Sequence, residues 1–534
     1  MKAKLFIIVL LLSVFSLGYY SDDNNPSSNV YAKPDNFYTK IKVFTSILET
    51  ISRVYVDETQ KSELIDDAIK GILDKLDPHT VYLPADDYSN WNQTFDGYSG
   101  IGISFDKIGG EFTVMSVIEG SPAAQSGLKA GDKILKVNNL SLDGLNKDET
   151  IQYLNGPIGA PVALSIIRNE WQHPKAIKII RRKIVLKSVT PYLMLKPHIG
   201  YVKIDRFTST TSRELEHALN ELESSGMSYL ILDLRGNSGG YLNAAIDVAD
   251  KFIPGGFKIV TTKGRVASSF QEYYATDIHT HPLYPMAMLI DHGSASAAEI
   301  VAGAIQDLDR GLIIGKSSFG KGLVQSQYRF LDGSALLITT ARYYTPSGRP
   351  IQRNFIDKTK EEYYEDAYND QAIKHRTHLH DTVYKTLSGR PVYDHGGITP
   401  DIWIENDQNI LSENLRSLLF SKNKIFYIFA EKYIKKYPKL KLNPNRFISD
   451  FHVTDHIFKQ FCTLALQSKP DLTFKALIKD KPNIKFLVKR EMAYIIGGTN
   501  ARFKVNLSRD YQLQAGIKYL SKANALLTLA DLPD

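Results

Sequence analysis

The hydrophobic positions of this chain change period near residue 95, and the change marks where helices give way to strands. From about Phe37 to Leu76 apolar residues recur at helical spacing: Ile41, Phe44, Ile47, Leu48 and Ile51, then Leu64, Ile65, Ala68, Ile69, Ile72, Leu73 and Leu76. Asp77-Pro78 ends that run, so the pattern predicts a helical N-terminal domain within 21–95. Beyond it come short β-branched runs punctuated by glycine, at 100–105, 112–117, 132–137 and 162–167, which predict a small β-rich module over 96–183.

Strand and helix patterns then alternate over 184–404. Strands are expected at 199–204, 229–234 and 286–290, and helices at 212–222, whose apolar face holds Leu215, Leu219 and Leu222, at 242–252 and at 297–308. Repeated strand-loop-helix units argue an α/β core with its chemistry where strands run out into loops. A polar, charge-mixed insertion at 351–392 reads as a lid, a surface excursion or a partner contact. After Trp403 helical periodicity resumes and predicts a helical C-terminal domain, 405–534, that packs on the core, pairs subunits or binds an adaptor.

Length and charge sharpen this picture. A chain of 534 residues exceeds what one core usually supports, so several domains are expected. The net charge of +7 belongs to the C-terminal segment, where 22 Lys+Arg face 12 Asp+Glu from residue 405 onward. Such an excess suits an anionic membrane surface or an acidic partner, but the charges are spread through amphipathic sequence, which reads as a solvated helical surface, and no nucleic acid is expected. Cys462 is the single cysteine, which excludes an intrachain disulfide and a cysteine metal cluster, and its apolar setting predicts a buried thiol. Lys2 and Lys4 precede an apolar run from Leu5 to Leu17 and then a polar stretch, the pattern of a secretory signal over 1–20. No clean A-x-A site follows, so an uncleaved membrane anchor stays open, and the expected location is outside the cytoplasm, in the periplasm or cell envelope.

Candidate chemistry falls on two strand ends. Asp291-His292-Gly293-Ser294-Ala295-Ser296 leaves a strand and enters a helix, which presents a serine hydroxyl at a positively polarised N-terminus with the next backbone N–H turned toward a developing oxyanion. A serine there also serves simply as a helix cap. Lys321, 25 positions on, stands in a glycine-flanked loop, and becomes a base once desolvation lowers its pKa from about 10.4. Gln325, four residues later, is spaced to hold the amine. Of the histidines in this region, His292 and His395 come with no evident orienting partner, and His279 and His281 make an incomplete metal shell, so no metal and no cofactor is expected. Glu299 is expected to support the first turn of the helix, and Arg235 to pair with a carboxylate or loop carbonyls.

Two resemblances rest on these motifs. Tyr98-Ser99-Gly100-Ile101-Gly102-Ile103 and the stretch from Ser121 to Asn138, with Gly127-Leu128-Lys129-Ala130-Gly131-Asp132 at its centre, resemble a PDZ domain. That likeness implies a tail-binding loop at Ser99, Gly100, Ile101 and Gly102, with an exposed strand edge for an added peptide strand. Asp233-Leu234-Arg235-Gly236-Asn237-Ser238-Gly239-Gly240, Ser294 to Glu299, Phe319 to Gln325, Tyr343 to Gln352 and Gly396 to Asp401 resemble, in order, the S41 carboxyl-terminal processing proteases. This implies a crotonase-like or ClpP-like α/β protease core with an inserted PDZ domain, Ser296 as nucleophile, Lys321 as general base and Gln325 as its orienting residue. It also implies an oxyanion site from the Ala297 N–H and that of Gly239 or Gly240, the two glycines remaining undecided. The expected activity is a serine endopeptidase acting on proteins with free C-terminal tails. The competing readings are a non-cutting peptide scaffold and a crotonase-like acyl-CoA enzyme.

Overall fold

The computed structural model describes residues 36–168, 171–277, 281–369, 382–394, 396–405, 411–421 and 424–530. The expected signal segment therefore lies outside the described residues, as do His279, His395 and the middle of the 351–392 insertion. The chain divides into two compact units, one ending at Ile72 and one running from Leu73 to Asp534. In the first, α1 (Phe37–Val54) and α2 (Lys61–Leu73) follow the predicted helical spacing; Asn36 caps α1 by accepting the Tyr38 N–H. Ile41, Phe44 and Ile47 on α1 are exposed.

The second unit begins differently from the expected all-helical segment. Its first strand, β1 (Val81–Leu83), is followed by the short helix α3 (Ala85–Asp96) and by β2 (Tyr98–Gly100). The β-rich module comes next: β3 (Ile103–Ile108), β4 (Glu111–Val117), β5 (Lys133–Val137), the helix α4 (Lys147–Leu154), β6 (Pro161–Ile167) and β7 (Lys175–Ile180). Its sheet runs β3-β4-β5-β6-β7, so β3 is an edge strand, and Phe112, Val114, Ile134, Leu164 and Ile166 fill its core. A last strand, β8 (Arg182–Ile184), returns antiparallel to β2, so the module is tied at its entry and exit.

Next comes the α/β core. The elements are β9 (Val189–Lys196), β10 (Ile199–Ile204), α5 (Thr211–Ser224), β11 (Tyr229–Asp233), α6 (Leu242–Asp250), β12 (Lys258–Lys263), β13 (Gln271–Tyr274), β14 (Met286–Ile290), α7 (Ala297–Asp307), β15 (Leu312–Gly315), β16 (Leu323–Arg329), β17 (Ala335–Tyr344), α8 (Lys360–Tyr368) and β18 (Ile402–Trp403). The main sheet is ordered β9-β10-β11-β14-β15-β18, parallel throughout except for β9 against β10. A second sheet is ordered β1-β17-β12-β13, with β16 also paired to β17. Thus β1, on the stretch expected to be helical, is a strand of the core, with Val81 opposite Leu337. Three residues are too few to leave a periodicity, and Val-Tyr-Leu suits a pleated edge.

Register explains why the central strands read as unbroken apolar runs. Val202, Leu232, Met288 and Ile313 lie side by side and face the cluster built with α5, α6 and α7. Their neighbours Tyr201, Ile231, Ala287 and Leu312 point to the other face. That face is covered by the last helix of the C-terminal region, which contains α9 (Ile425–Lys436), α10 (Asp455–Ser468), α11 (Lys481–Asn506) and α12 (Tyr511–Ala530). Leu513, Leu520, Ala523 and Leu526 of α12 meet it, and Gly516 lets the helix approach until a Cβ there would stand 3.3 Å from Leu289. Parallel sheets need cover on both sides, and here the chain's own C-terminus supplies the second. Cys462 is buried in the separate helical cluster of α9 to α11.

Arg235 fastens α12 to the sheet. Its guanidinium contacts Asp233, at the end of β11, and both oxygens of Asp510, at the head of α12, at 2.7 Å each. Asp233 is almost wholly buried and also accepts the Tyr201 hydroxyl at 2.7 Å. Removing the cation leaves that carboxylate uncompensated, so Arg235→Ala is expected to lower the unfolding free energy by about 3–5 kcal/mol in a denaturant titration. A loss under about 1 kcal/mol would contradict the assigned role.

Candidate active site

Ser296 sits where β14 hands over to α7. Its backbone takes φ +54° and ψ −116°, a positive φ that a non-glycine residue holds only when the surroundings impose it. A sharp strand-to-helix turn of this kind presents a serine hydroxyl at the rim of an α/β sheet. Ser294, by contrast, is buried; its hydroxyl donates to Leu234 O at 2.8 Å and accepts the Asp291 N–H at 3.0 Å. The loop after β11 presses against the turn from the other side. A Cβ on Gly239, whose φ is +104°, would stand 2.8 Å from Ser296 Cβ and 3.1 Å from Ala297 N, so only glycine admits this contact.

Glu299 joins the serine turn to the lysine loop. Fully buried, its carboxylate accepts the N–H groups of Ser296 at 2.8 Å, Gly320 at 2.7 Å and Lys321 at 2.9 Å, and the Ser318 hydroxyl at 2.5 Å. Burial raises its pKa, against those four donors. The Tyr343 hydroxyl, on β17, adds a second link, lying 3.1 Å from Ser296 O and 2.7 Å from Lys321 O.

Lys321 Nζ donates to Gln325 Oε1 at 2.6 Å, and Gln325 Nε2 donates to His79 O at 2.6 Å. Gln325 lies on β16 where the pairing to β17 slips by one residue, a bulge that redirects side chains beside the site. Burial lowers the Lys321 pKa, while Asp77 and Glu299 pull it back up. His79 is held down to about 4, first by burial and then by Lys321, so its ring is neutral near pH 7; it contacts the Tyr363 hydroxyl at 2.9 Å. Tyr363 belongs to α8, in the insertion, and packs with Phe319 and Ala367. The described part of the insertion thus buttresses the lysine loop.

A cavity of about 420 Å³ gathers Ser296, Ala297, Gly240, Lys321 and Gln325. Gly239 lies behind it, and its N–H is already donated to Asn237 Oδ1 at 2.9 Å. Among the described residues no histidine lines this cavity: His292 is turned to Ser317 O at 2.9 Å, and His281 to Glu216 and Glu223. A second cavity, about 370 Å³, runs between the edge strand β3 and α4. Ile101 and Gly102 border it, with Tyr98, Ile103, Phe105 and Lys147. Ser99 and Gly100 do not. They are consumed in the β2–β8 pairing, and the Ser99 hydroxyl donates to Gly156 O at 2.5 Å.

The structure brings the expected Ser296, Lys321 and Gln325 to one cavity, whereas the sequence tied Glu299 only to its own helix and marked no role for His79, Tyr343 or Tyr363. The Ser-x-x-Glu spacing at 296–299 was a signal for the first; the other contacts join segments up to 284 residues apart and left none.

Comparison with known proteins gives two family matches, Peptidase family S41 over residues 198–361 and PDZ domain over 113–168. The chain is 38% identical over 322 residues to a carboxy-terminal-processing protease of Bartonella bacilliformis, covering 59% of this chain and 74% of that one. It is 32% identical over 359 residues to the carboxy-terminal processing protease CtpA of Bacillus subtilis, covering 66% and 76%. Among solved structures, the photosystem II D1 C-terminal processing protease aligns over 72% of this chain and 98% of its own, at 24% identity and a TM-score of 0.35.

A lysine whose folded pKa is depressed binds fewer protons than in the unfolded chain, so its stability term rises with pH up to the unfolded value of about 10.4. Lys321→Met is therefore expected to be more stable than the parent near pH 7, by a margin that shrinks as pH climbs toward 10 in paired denaturant titrations. A margin independent of pH would contradict the depressed pKa.

Proposed function

Because this chain belongs to peptidase family S41, as a carboxy-terminal processing protease with a PDZ domain, we propose that Ser296 is its nucleophile and Lys321 its general base. The observation that carries this reading is the desolvated Lys321 amine, held by Gln325 in the cavity that Ser296 lines. Neutral Lys321 takes the Ser296 proton as the oxygen attacks the scissile carbonyl, and returns it to the leaving amine. An ester to Ser296 forms, and water, deprotonated by the same amine, releases it. The oxyanion is held by the Ala297 N–H and by that of Gly240, favoured over Gly239 because the latter serves Asn237. Such a site contributes about 3 kcal/mol. His79, through its carbonyl, fixes the Gln325 amide and so the acceptor that orients the lysine.

The same proposal gives the groove between β3 and α4 to the free C-terminal tail of the substrate, added as a strand to the β3 edge. Export is inferred from Lys2, Lys4 and the apolar run 5–17, with retention of that run as the route to membrane attachment; fractionation and the mass of the mature N-terminus test it. The same proposal gives the helical regions to an adaptor or to self-association, tested by co-purification and by the mass of the particle in solution.

Ser296→Ala and Lys321→Ala are each expected to reduce kcat/KM on an unfolded tailed substrate by about 10⁴-fold or more, and Gln325→Ala by about 10–100-fold. Amidating the tail is expected to weaken cleavage by the parent enzyme. Equal turnover by the parent and both alanine variants of the pair would reject the assignment.

A further inference from the structure

The cavity at Ser296 is walled partly by a helix that precedes the PDZ module. Trp91 and Phe95, one turn apart on α3, both line it, as does Tyr241 directly after Gly240. Their rings form a continuous run: Trp91 to Phe95 at 5.1 Å between centroids, and Phe95 to Tyr241 at 5.6 Å. Tyr88 extends it behind Trp91, at 6.1 Å. The run is anchored at both ends of α3, because the Tyr88 hydroxyl is hydrogen-bonded to Gln327 on β16 and Arg206 Nη1 donates to Thr94 O at 3.0 Å. Aromatic rings fixed in this way form a preorganised surface with little entropy left to lose on binding.

The rest of the lining joins the aliphatic Leu242, Ile300, Leu323, Val324 and Leu337 to uncharged polar groups, Ser238 and Gln327 among them. Among the described residues Lys321 is the one lining residue of ordinary ionisable type besides the tyrosines, and it acts as a base only when uncharged. A lysine or arginine side chain entering here finds no carboxylate among the described lining residues, and an aspartate or glutamate finds no cation there without silencing the base. The helix has a second neighbour: Gln93, between the two rings in sequence, lines the groove at β3 and α4. One helix therefore borders both the tail groove and the cavity of the nucleophile.

Resting on the dyad reading above, we propose that Trp91, Phe95 and Tyr241 form a specificity subsite that receives a large apolar side chain, aromatic or leucine-like, within two residues of the bond being cut. The polypeptide is anchored by its tail beside Gln93 and meets the aromatic face of the same helix where it reaches Ser296. The subsite sets which bond upstream of the tail is chosen.

The test uses the full-length enzyme and a set of peptides with one common free tail, differing at a single position near the scissile bond as Phe, Leu, Ala, Lys or Glu, with the cut mapped by mass spectrometry. The parent enzyme is expected to favour Phe and Leu over Ala, and to disfavour Lys and Glu most. Trp91→Ala and Phe95→Ala are expected to lower the Phe-to-Ala ratio of kcat/KM by about 10-fold or more, with Trp91→Phe recovering most of it. Competition binding to Ser296→Ala, with and without Trp91→Ala, reads the same ratio without turnover and covers a variant that is merely slow. A flat profile in the parent, or an equal loss on all five peptides with the ratio preserved, overturns the subsite. Residual cutting by Ser296→Ala would instead overturn the dyad, leaving the side-chain ratio to speak separately.

Discussion

Glu299 holds in one frame two loops that the sequence separates. A buried carboxylate is tolerable only when its lone pairs are filled, and here three backbone N–H groups and one hydroxyl fill them. Two of the N–H groups belong to Gly320 and Lys321 and one to Ser296, so neither loop can shift without stranding a desolvated oxygen. The Tyr343 hydroxyl spans the same pair of residues from the second sheet. The unusual backbone of Ser296 persists because these contacts, and the close approach of Gly239, leave it nowhere to relax.

Around that frame the architecture serves rigidity. The main sheet is covered on one face by α5, α6 and α7 and on the other by α12, so β11 and β14, which lead into the loops of Arg235 and Asp291, emerge from a core packed on both sides. Arg235 ties the last helix to the strand ends through two carboxylates, one nearly inaccessible to water. The lysine loop has its own support in Tyr363 and Phe319, which also close one side of His79. A neutral amine needs such walls, because water would restore its charge.

Much of this was legible in the residues. The shift from helical to strand period near Phe95, the unbroken apolar strands of the core and the helix from Ala297 all left patterns that local physics can read. That Ser296, Lys321 and Gln325 border one cavity was foreshadowed because glycines and small residues mark loops where backbone and side chains must come close. The β1 strand was hidden, since three residues cannot show a period and its partner lies over 250 positions away. The same holds for His79, whose Asp77-Pro78 neighbours read only as the end of a helix, and for Tyr363, whose value to the site lies in packing against Phe319. Ser99 and Gly100 stand apart from the groove for another reason. A glycine-rich stretch suits both a carboxylate loop and a tight strand crossing, and the structure uses that end of it to pair with β8.

The account rests on an amine that is uncharged when the enzyme works. Its most direct test is an NMR titration of isotopically labelled lysine side chains, with the Lys321 resonance assigned by comparison with Lys321→Met. Lys321 is expected to titrate well below the ordinary lysine value of about 10.4, and Gln325→Ala to change its chemical shift. A Lys321 resonance that titrates with the exposed lysines of the same sample would contradict it.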